Sequence, residues 1–540
     1  MFRLTWRLQR NGLIGMSAFG IFYGIFQTAA YNSAAGTTAA SRRAFGQTTE
    51  TFGRQYSLFL PLPHGVDTVA GFTQWRVYGA LPILFGFWGL MSAAGATRGD
   101  EERGLLEQWL AAGVSRRHYL LTRFIGFAIS AVIAITLTSA AIDAGAASAG
   151  SALPIGPLLE VSVALLGLTL AIYALTTVVA QLTVSRGGAA GLGGLVVGVM
   201  FFANGLSRSV DSLKPLAQAI SPFYYYDRTQ PLAPGGTFDV GATLALFGVA
   251  ALLAALAIWF MRVRDIGSGL IRLPARPRPH MDRPSPNPLL RMPVLASIYE
   301  QRVGILAWGV GTAFFAFYLA SVGRQTADLI QGSAGFRNYL AVAGHGNPYI
   351  ALTGYFWFGI ALLLLAVYAV TQVARWSADD NEGRLEMILS APVSRTRVVI
   401  ERAVALMLRL AIIIAISSIA LDLGGAVANI QFDLGALTVA SLLLVPFGLS
   451  FAAIGAVLAS RAPRATVAVL VTYTFLSYLI TQLGPLLRWP DWALKLSVFN
   501  LYGAPLTNGV DWTGLWITLA ITIGGFAVGA LLMQRRDVGS

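Results

Sequence analysis

The sequence predicts an all-α polytopic membrane protein of about twelve transmembrane helices, arranged as two tandem six-helix repeats that form a pseudo-dimer. Three observations carry that expectation. The 540 residues are 56% apolar and only 12% charged, with a mean hydropathy of +0.65, whereas soluble proteins average about 25% charged residues. The apolar residues fall in runs of about 20, the length a helix needs to cross a roughly 30 Å hydrocarbon layer. A stretch beginning at Gly104 returns at Gly383 without a gap, which marks an internal repeat.

In chain order the runs place spans at 13–30, 76–97, 120–148, 158–184, 187–207 and 240–261, then at 303–322, 350–374, 403–429, 434–459, 465–484 and 512–533. Residues 1–12 mix Arg3, Arg7 and Arg10 with Phe2, Leu4, Trp6 and Leu8, which suits a short helix lying in the membrane interface. A basic start, an apolar run and the small residues Ala29 and Ala30 also fit a signal peptide. However, Gln9-Arg10 before Gly12 matches Gln301-Arg302 before Gly304 in mid-chain, so 13–30 reads as a retained span. An even number of spans puts both termini on one side. With the termini inside, the inner segments hold roughly 26 of the 38 Lys and Arg residues. That excess of positive charge assigns them to the cytoplasmic face of a plasma membrane.

Composition excludes several chemistries. There is no cysteine, and the four histidines, His64, His118, His280 and His345, are scattered, so no metal site is expected. Lys214 and Lys495 are the only lysines and each follows a leucine; the lysine that a P-loop places after a glycine-rich turn is missing. The chain is therefore expected to be no enzyme by itself and to hold no cofactor. ATP and Mg²⁺, if used, belong to a partner subunit. Asp143 and Asp422 lie near the outer ends of their spans, and no span carries an acid near its middle. That weighs against proton- or sodium-driven transport.

Residues 104–123 and 383–402 are identical at nine of 20 positions. The register continues at Asp143 and Asp422, at Ser185-Arg186 and Ser460-Arg461, and at 264–268 and 536–540. The chain thus divides into a first half at 1–264, a proline- and arginine-rich cytoplasmic linker at 265–297, and a second half at 298–540. Because each half holds six spans, the halves share one topology and relate by an axis along the membrane normal. Gly187, Gly191, Gly194 and Gly198 give the fifth span two small-residue steps suited to close helix packing. The outer loops near 31–75, 208–239, 323–349 and 485–511 are long enough to hold short helices.

The best-matched part of the two halves is an inner segment, 98–123 in the first and 377–402 in the second. Acidic residues come first: Asp100, Glu101 and Glu102, then Asp379, Asp380 and Glu382. An amphipathic stripe follows, Leu105, Leu106, Trp109 and Leu110 against Leu385, Ile388 and Leu389, at helical spacing. Ser115-Arg116 and Ser394-Arg395 close it, each serine placed to cap the next helix. An interfacial helix with snorkelling arginines satisfies the same pattern. Yet lipid accepts any apolar residue, whereas a surface that docks a shared partner does not.

The shared G-x-L-E-x-x-L-x-A-x-V-S-R, with its acidic entry, resembles the coupling segment of type-2 ATP-binding-cassette (ABC) permeases. The duplicated layout is similar to the polyketide-antibiotic and multidrug exporter branch found in actinobacteria and related bacteria. The resemblance implies that helices near 99–113 and 378–391 dock on two copies of a separate ABC ATPase. The coupling residues it implies are Glu102, Gly104, Leu106, Glu107, Leu110, Ser115 and Arg116, and Glu382, Gly383, Leu385, Glu386, Leu389, Ser394 and Arg395. It also implies that the second and fifth spans of each half line the substrate path. Phe85, Trp88, Phe201, Phe202, Tyr355, Trp357, Tyr473 and Tyr478 are its candidate walls, suited to hydrophobic or amphipathic drugs and antibiotics. Aromatic residues also gather at membrane interfaces for reasons unrelated to substrate. Gly113, where the second copy has Pro392, departs from the motif and points to a looser first segment. A secondary transporter, or a non-transporting drug- or lipid-sensing ABC assembly, remains the alternative reading. With no phosphate-binding lysine, the isolated chain is expected to hydrolyse no ATP; turnover by a preparation free of contaminating ATPase would contradict this.

Overall fold

The computed structural model describes residues 2–55, 57–208, 210–270, 287–330, 347–381, 383–483 and 489–535. Among the described residues every regular element is helical. Eleven helices are long and apolar enough to cross a membrane, and a twelfth, Thr466–Gln482, is apolar but shorter. The protein is an all-α, multi-pass membrane protein. Its chain forms two compact units, Met1–Arg278 and Pro279–Ser540.

The first unit contains α1 (Phe2–Ala29), α2 (Leu81–Ala94), α3 (Leu105–Ala111), α4 (Arg116–Ser148), α5 (Ile155–Leu182), α6 (Arg186–Ser207) and α7 (Val240–Val263). Helix α5 is its axis, packed on α2, α6 and α7, while α1 lies along α4. The second unit contains α8 (Pro293–Glu300), α9 (Arg302–Ser321), α10 (Pro348–Asn381), α11 (Arg384–Leu389), α12 (Arg395–Val427), α13 (Leu434–Arg461), α14 (Thr466–Leu483) and α15 (Trp512–Gln534). Its pairings repeat the first: α9 lies along α12, and α13 packs on α10, α14 and α15.

The entry helix differs between the units. Residues 2–12 do not form a separate interfacial element but run without a break into α1. They are held by α4: Gln9 Nε2 donates to the Arg123 carbonyl at 3.4 Å, and a Cβ on Gly126 would come within 2.6 Å of Thr5 Cγ2. The corresponding α8 starts at Pro293, where the fixed φ of proline suits a first helical turn. It separates from α9 at Gln301, whose backbone leaves the helix at φ −93° and ψ 10°.

The second span also differs. In the first unit, π-helical turns at Thr73–Val77 and Gly95–Gly99 flank α2, whereas α10 runs unbroken through 34 residues. A π-turn inserts an extra residue and re-aims the side chains that follow; the second one carries Arg98 into the interior. At the far end of the first unit, short helices at Tyr31–Ala35, Ala39–Gln55, Lys214–Ile220 and Pro222–Asp227 fill the loops. Tyr226 Oη donates to the Tyr78 carbonyl at 2.9 Å, and Arg208 pairs with Asp227 at 2.7 Å. Asp143 ties down the turn after α4 by accepting the Leu153 N–H at 2.8 Å. Of the expected linker and third outer loop, 271–286 and 331–346 lie outside the described residues, as does 536–540.

The serines that precede α4 and α12 satisfy helix-start N–H groups that have no partner within the helix. Ser115 Oγ accepts from the His118 N–H and Ser394 Oγ from the Arg397 N–H, each at 3.2 Å. Ser115→Ala and Ser394→Ala are each expected to cost about 1 kcal/mol, read as a lowered thermal midpoint in detergent. An unchanged midpoint would show that the caps are dispensable.

Candidate functional site

The segments joining α2 to α4 and α10 to α12 fold alike, from the same local instructions. Each turns at a glycine with left-handed backbone, Gly104 at φ 69° and Gly383 at φ 73°, a conformation that costs an L-residue roughly 1–2 kcal/mol. The short helices α3 and α11 follow. Each buries one leucine of its stripe: Leu106 packs with Tyr119, Leu120 and Met261, and Leu385 with Val398 and Met533. Leu110 and Leu389 are half-buried beside them. The opposite side is open, with Glu107 and Glu386 exposed. In the second copy Met387 and Ile388 are exposed as well, Met387 to 74%.

Arginine fixes each segment to the end of its unit's last helix. Arg116 Nη1 donates to the carbonyls of Met261 at 2.9 Å and Arg264 at 2.7 Å. Arg395 Nη1 donates to those of Met533 at 3.3 Å and Gln534 at 3.2 Å. The last carbonyls of a helix lack internal partners and carry the negative end of its dipole, so a guanidinium answers both needs.

Below each segment lies an ion pair at the repeat spacing (379 − 100 = 279 and 402 − 123 = 279). In the first unit Asp100 bonds Arg123, Arg103 at 2.6 Å and Tyr119 Oη at 2.7 Å. In the second, Asp379 bonds Arg402 at 3.2 Å and Arg384 at 2.9 Å, and Arg402 lies over the Trp376 ring. The first unit also shows a second cluster; the matching end of the second unit, 536–540, lies outside the described residues. Glu101 accepts from Arg264 Nη1 and Nη2 at 2.8 and 2.6 Å, from Arg98 at 3.0 Å and from the Gly267 N–H at 2.6 Å. Gln181 Oε1 accepts from Arg264 Nε at 2.7 Å. In the second unit Ala456 stands four residues before Ser460, as Gln181 stands before Ser185. There a cleft opens, lined by Trp376, Asp380, Leu385, Arg402, Ala456 and Met533.

The residues named from sequence thus fall into distinct places. Gly104, Leu106, Ser115 and Arg116, with Gly383, Leu385, Ser394 and Arg395, shape and anchor the segments. Glu107 and Glu386 point away from them. Glu102 turns to the neighbouring span, its Oε1 accepting the Arg186 N–H at 2.8 Å; Glu382 lies outside the described residues. Gly113, at φ 83°, ends α3 with its N–H on the Leu110 carbonyl at 3.0 Å. The base beneath it holds the ion pairs of Asp100 and Glu101. Among the aromatic candidates, Phe85 and Trp357 are enclosed in their units' packing. Trp88, Phe201, Phe202, Tyr473 and Tyr478 are half-buried, and Tyr355 is exposed. Sequence reading passed over Asp100, Arg123, Asp379 and Arg402 as a pair-of-pairs, although their common spacing was visible. It had no signal for the meeting of Arg98, Glu101, Gln181 and Arg264.

Each unit of this multi-pass membrane protein thus presents a matched segment on a short helix anchored to the unit's last span. The model of the multidrug efflux system permease Rv1217c, C-terminal domain, matches residues 1–262 and 290–534, and the chain belongs to that family. None of the curated proteins matches it.

The two bases differ in burial: Arg123 and Asp100 are 3% and 2% exposed, Arg402 and Asp379 20% and 30%. Removing one partner of a buried pair strands the other charge and costs about 3–5 kcal/mol; a solvent-screened pair contributes about 0–1 kcal/mol. Asp100→Asn is therefore expected to lower the detergent unfolding midpoint clearly more than Asp379→Asn. Equal shifts would contradict this reading of the two bases.

Proposed function

We propose that the chain is the membrane-spanning subunit of an ATP-driven ABC exporter for hydrophobic or amphipathic compounds, drugs and antibiotics among them. It lies in the plasma membrane with both termini cytoplasmic, a placement that the arginine distribution supports. Two copies of a separate ABC ATPase dock on α3 and α11, and those subunits bind ATP and Mg²⁺. One observation carries the reading. The same construction occurs twice, a short helix anchored on its inner side by leucine, serine cap and arginine, with a glutamate presented outward.

That construction suits transmission of force. Because Arg116 and Arg395 fasten the starts of α4 and α12 to the ends of α7 and α15, a push on α3 or α11 moves whole helices rather than a loop. ATP-driven closure of the ATPases then alternates access to the substrate path, for which the candidate walls are Trp88, Phe201 and Phe202 in the first unit and Tyr355, Tyr473 and Tyr478 in the second.

The test is Glu107→Ala, Glu386→Ala and the double variant, scored for ATPase co-purification and for efflux. A carboxylate meeting an arginine with water partly excluded loses about 2–5 kcal/mol when its charge is removed. The double variant is expected to stay folded but to lose the ATPase or its coupling to efflux, with Glu386→Ala the harsher single change. Normal binding and transport by the double variant would reject the assignment of these glutamates. Native mass spectrometry is expected to give one copy of this chain with two ATPases.

A further inference from the structure

Arg409 is a cation inside a span. Its position on α12, at about 1.5 Å per residue, lies roughly 21 Å from the helix start. Its side chain is almost wholly enclosed, at 2% exposure. Nη1 donates to Gln372 Oε1 at 3.0 Å, and Nη2 donates to Ser297 Oγ of α8. Nε has no partner. Tyr368, one turn before Gln372 on α10, is also buried, and its hydroxyl has no partner either. Its ring packs against Trp308 at 5.4 Å. The charged groups facing the guanidinium from the packed helices are Arg375 and Glu300, both exposed. Among the described residues no carboxylate bonds Arg409.

The fold does not need this cation. At the repeat spacing the helix matching α12 has Ser130 in the place of Arg409. There the same helix crossing closes with neutral groups: Ser130 Oγ donates to the Gly126 carbonyl at 2.9 Å and to Gln9 Oε1 at 3.5 Å. The buried cation at this place belongs to the second unit alone among the described residues. A charge within a span is costly and marks function by default. Here its bonded partners are neutral, and two buried donors stand idle.

We propose that Arg409, Gln372 and Tyr368 form a binding subsite for the acidic head group of an anionic amphipath, a carboxylate or phosphate on an apolar body. The guanidinium offers five N–H donors in a fork matched to such groups. The anionic oxygen replaces Ser297 Oγ, so the guanidinium bonds an opposite charge in place of a neutral hydroxyl. The displaced group would lie on α8, a helix with none of its residues buried. The chemistry fits acidic cargo and an anionic lipid alike. Binding stands without the export reading; only calling the ligand a substrate rests on it.

The experiment uses the full chain purified in a nonionic detergent, without any ATPase, so its result is separate from the coupling test. Palmitate and phosphatidylglycerol are the anionic probes, methyl palmitate and phosphatidylcholine the neutral ones, with affinity read by native mass spectrometry. The chain is expected to prefer at least one anionic probe over its neutral counterpart. Arg409→Gln should weaken that probe about tenfold or more, and Tyr368→Phe, which keeps the ring on Trp308, about 2- to 10-fold. Palmitate preference assigns the subsite to acidic cargo and phosphatidylglycerol preference to lipid; either supports it. Equal binding of charged and neutral probes, or unchanged affinity in both variants, would overturn it. Should Arg409→Gln not purify, Tyr368→Phe decides alone.

Discussion

The carboxylate of Asp100, enclosed by Arg123, Arg103 and Tyr119, fixes where the second span ends and the first inner segment begins. A buried charge of this kind adds little net stability, because desolvation offsets most of the attraction. Its consequence is positional. Arg123 belongs to α4 and Asp100 to the chain leaving α2, so the pair sets how those two elements meet. Gly104 then turns the backbone, Leu106 drops into the apolar patch, and Arg116 fastens the segment to α7.

The second unit builds the same frame with different filling. Asp379 and Arg402 keep the pair but leave it partly open to solvent. Gln181, Arg98 and Arg264 fill the first unit's base; in the second, Ala456 stands at the place of Gln181 and lines a cleft among the described residues. Arg409 stands in the place of Ser130 higher up. Duplication preserved the elements that anchor the inner segments and let the interior chemistry diverge.

Most spans were legible because twenty apolar residues have few alternatives to crossing a membrane. The repeated segment was legible because its glycine, leucine, serine and arginine each serve a local rule: a left-handed turn, a buried stripe, an N-cap and a C-terminal carbonyl partner. Residues 2–12 were misread as a separate interfacial helix. Their alternating arginines and apolar groups fit an interface, and only the contacts of Thr5 and Gln9 with α4 show why the helix continues. That Glu102 accepts the Arg186 N–H at the start of α6 had no signal along the chain.

The sequence by itself determined the membrane class, the positions of the spans to within a few residues and the two matched segments, since hydropathy and local helix signals act over short stretches of chain. Tertiary structure alone decided which charges meet. Glu101 and Arg264 lie 163 residues apart, and Arg409 finds Ser297 and Gln372 on two other helices. Such pairings depend on how helices are rotated and packed against one another, and neither composition nor spacing along the chain encodes that rotation.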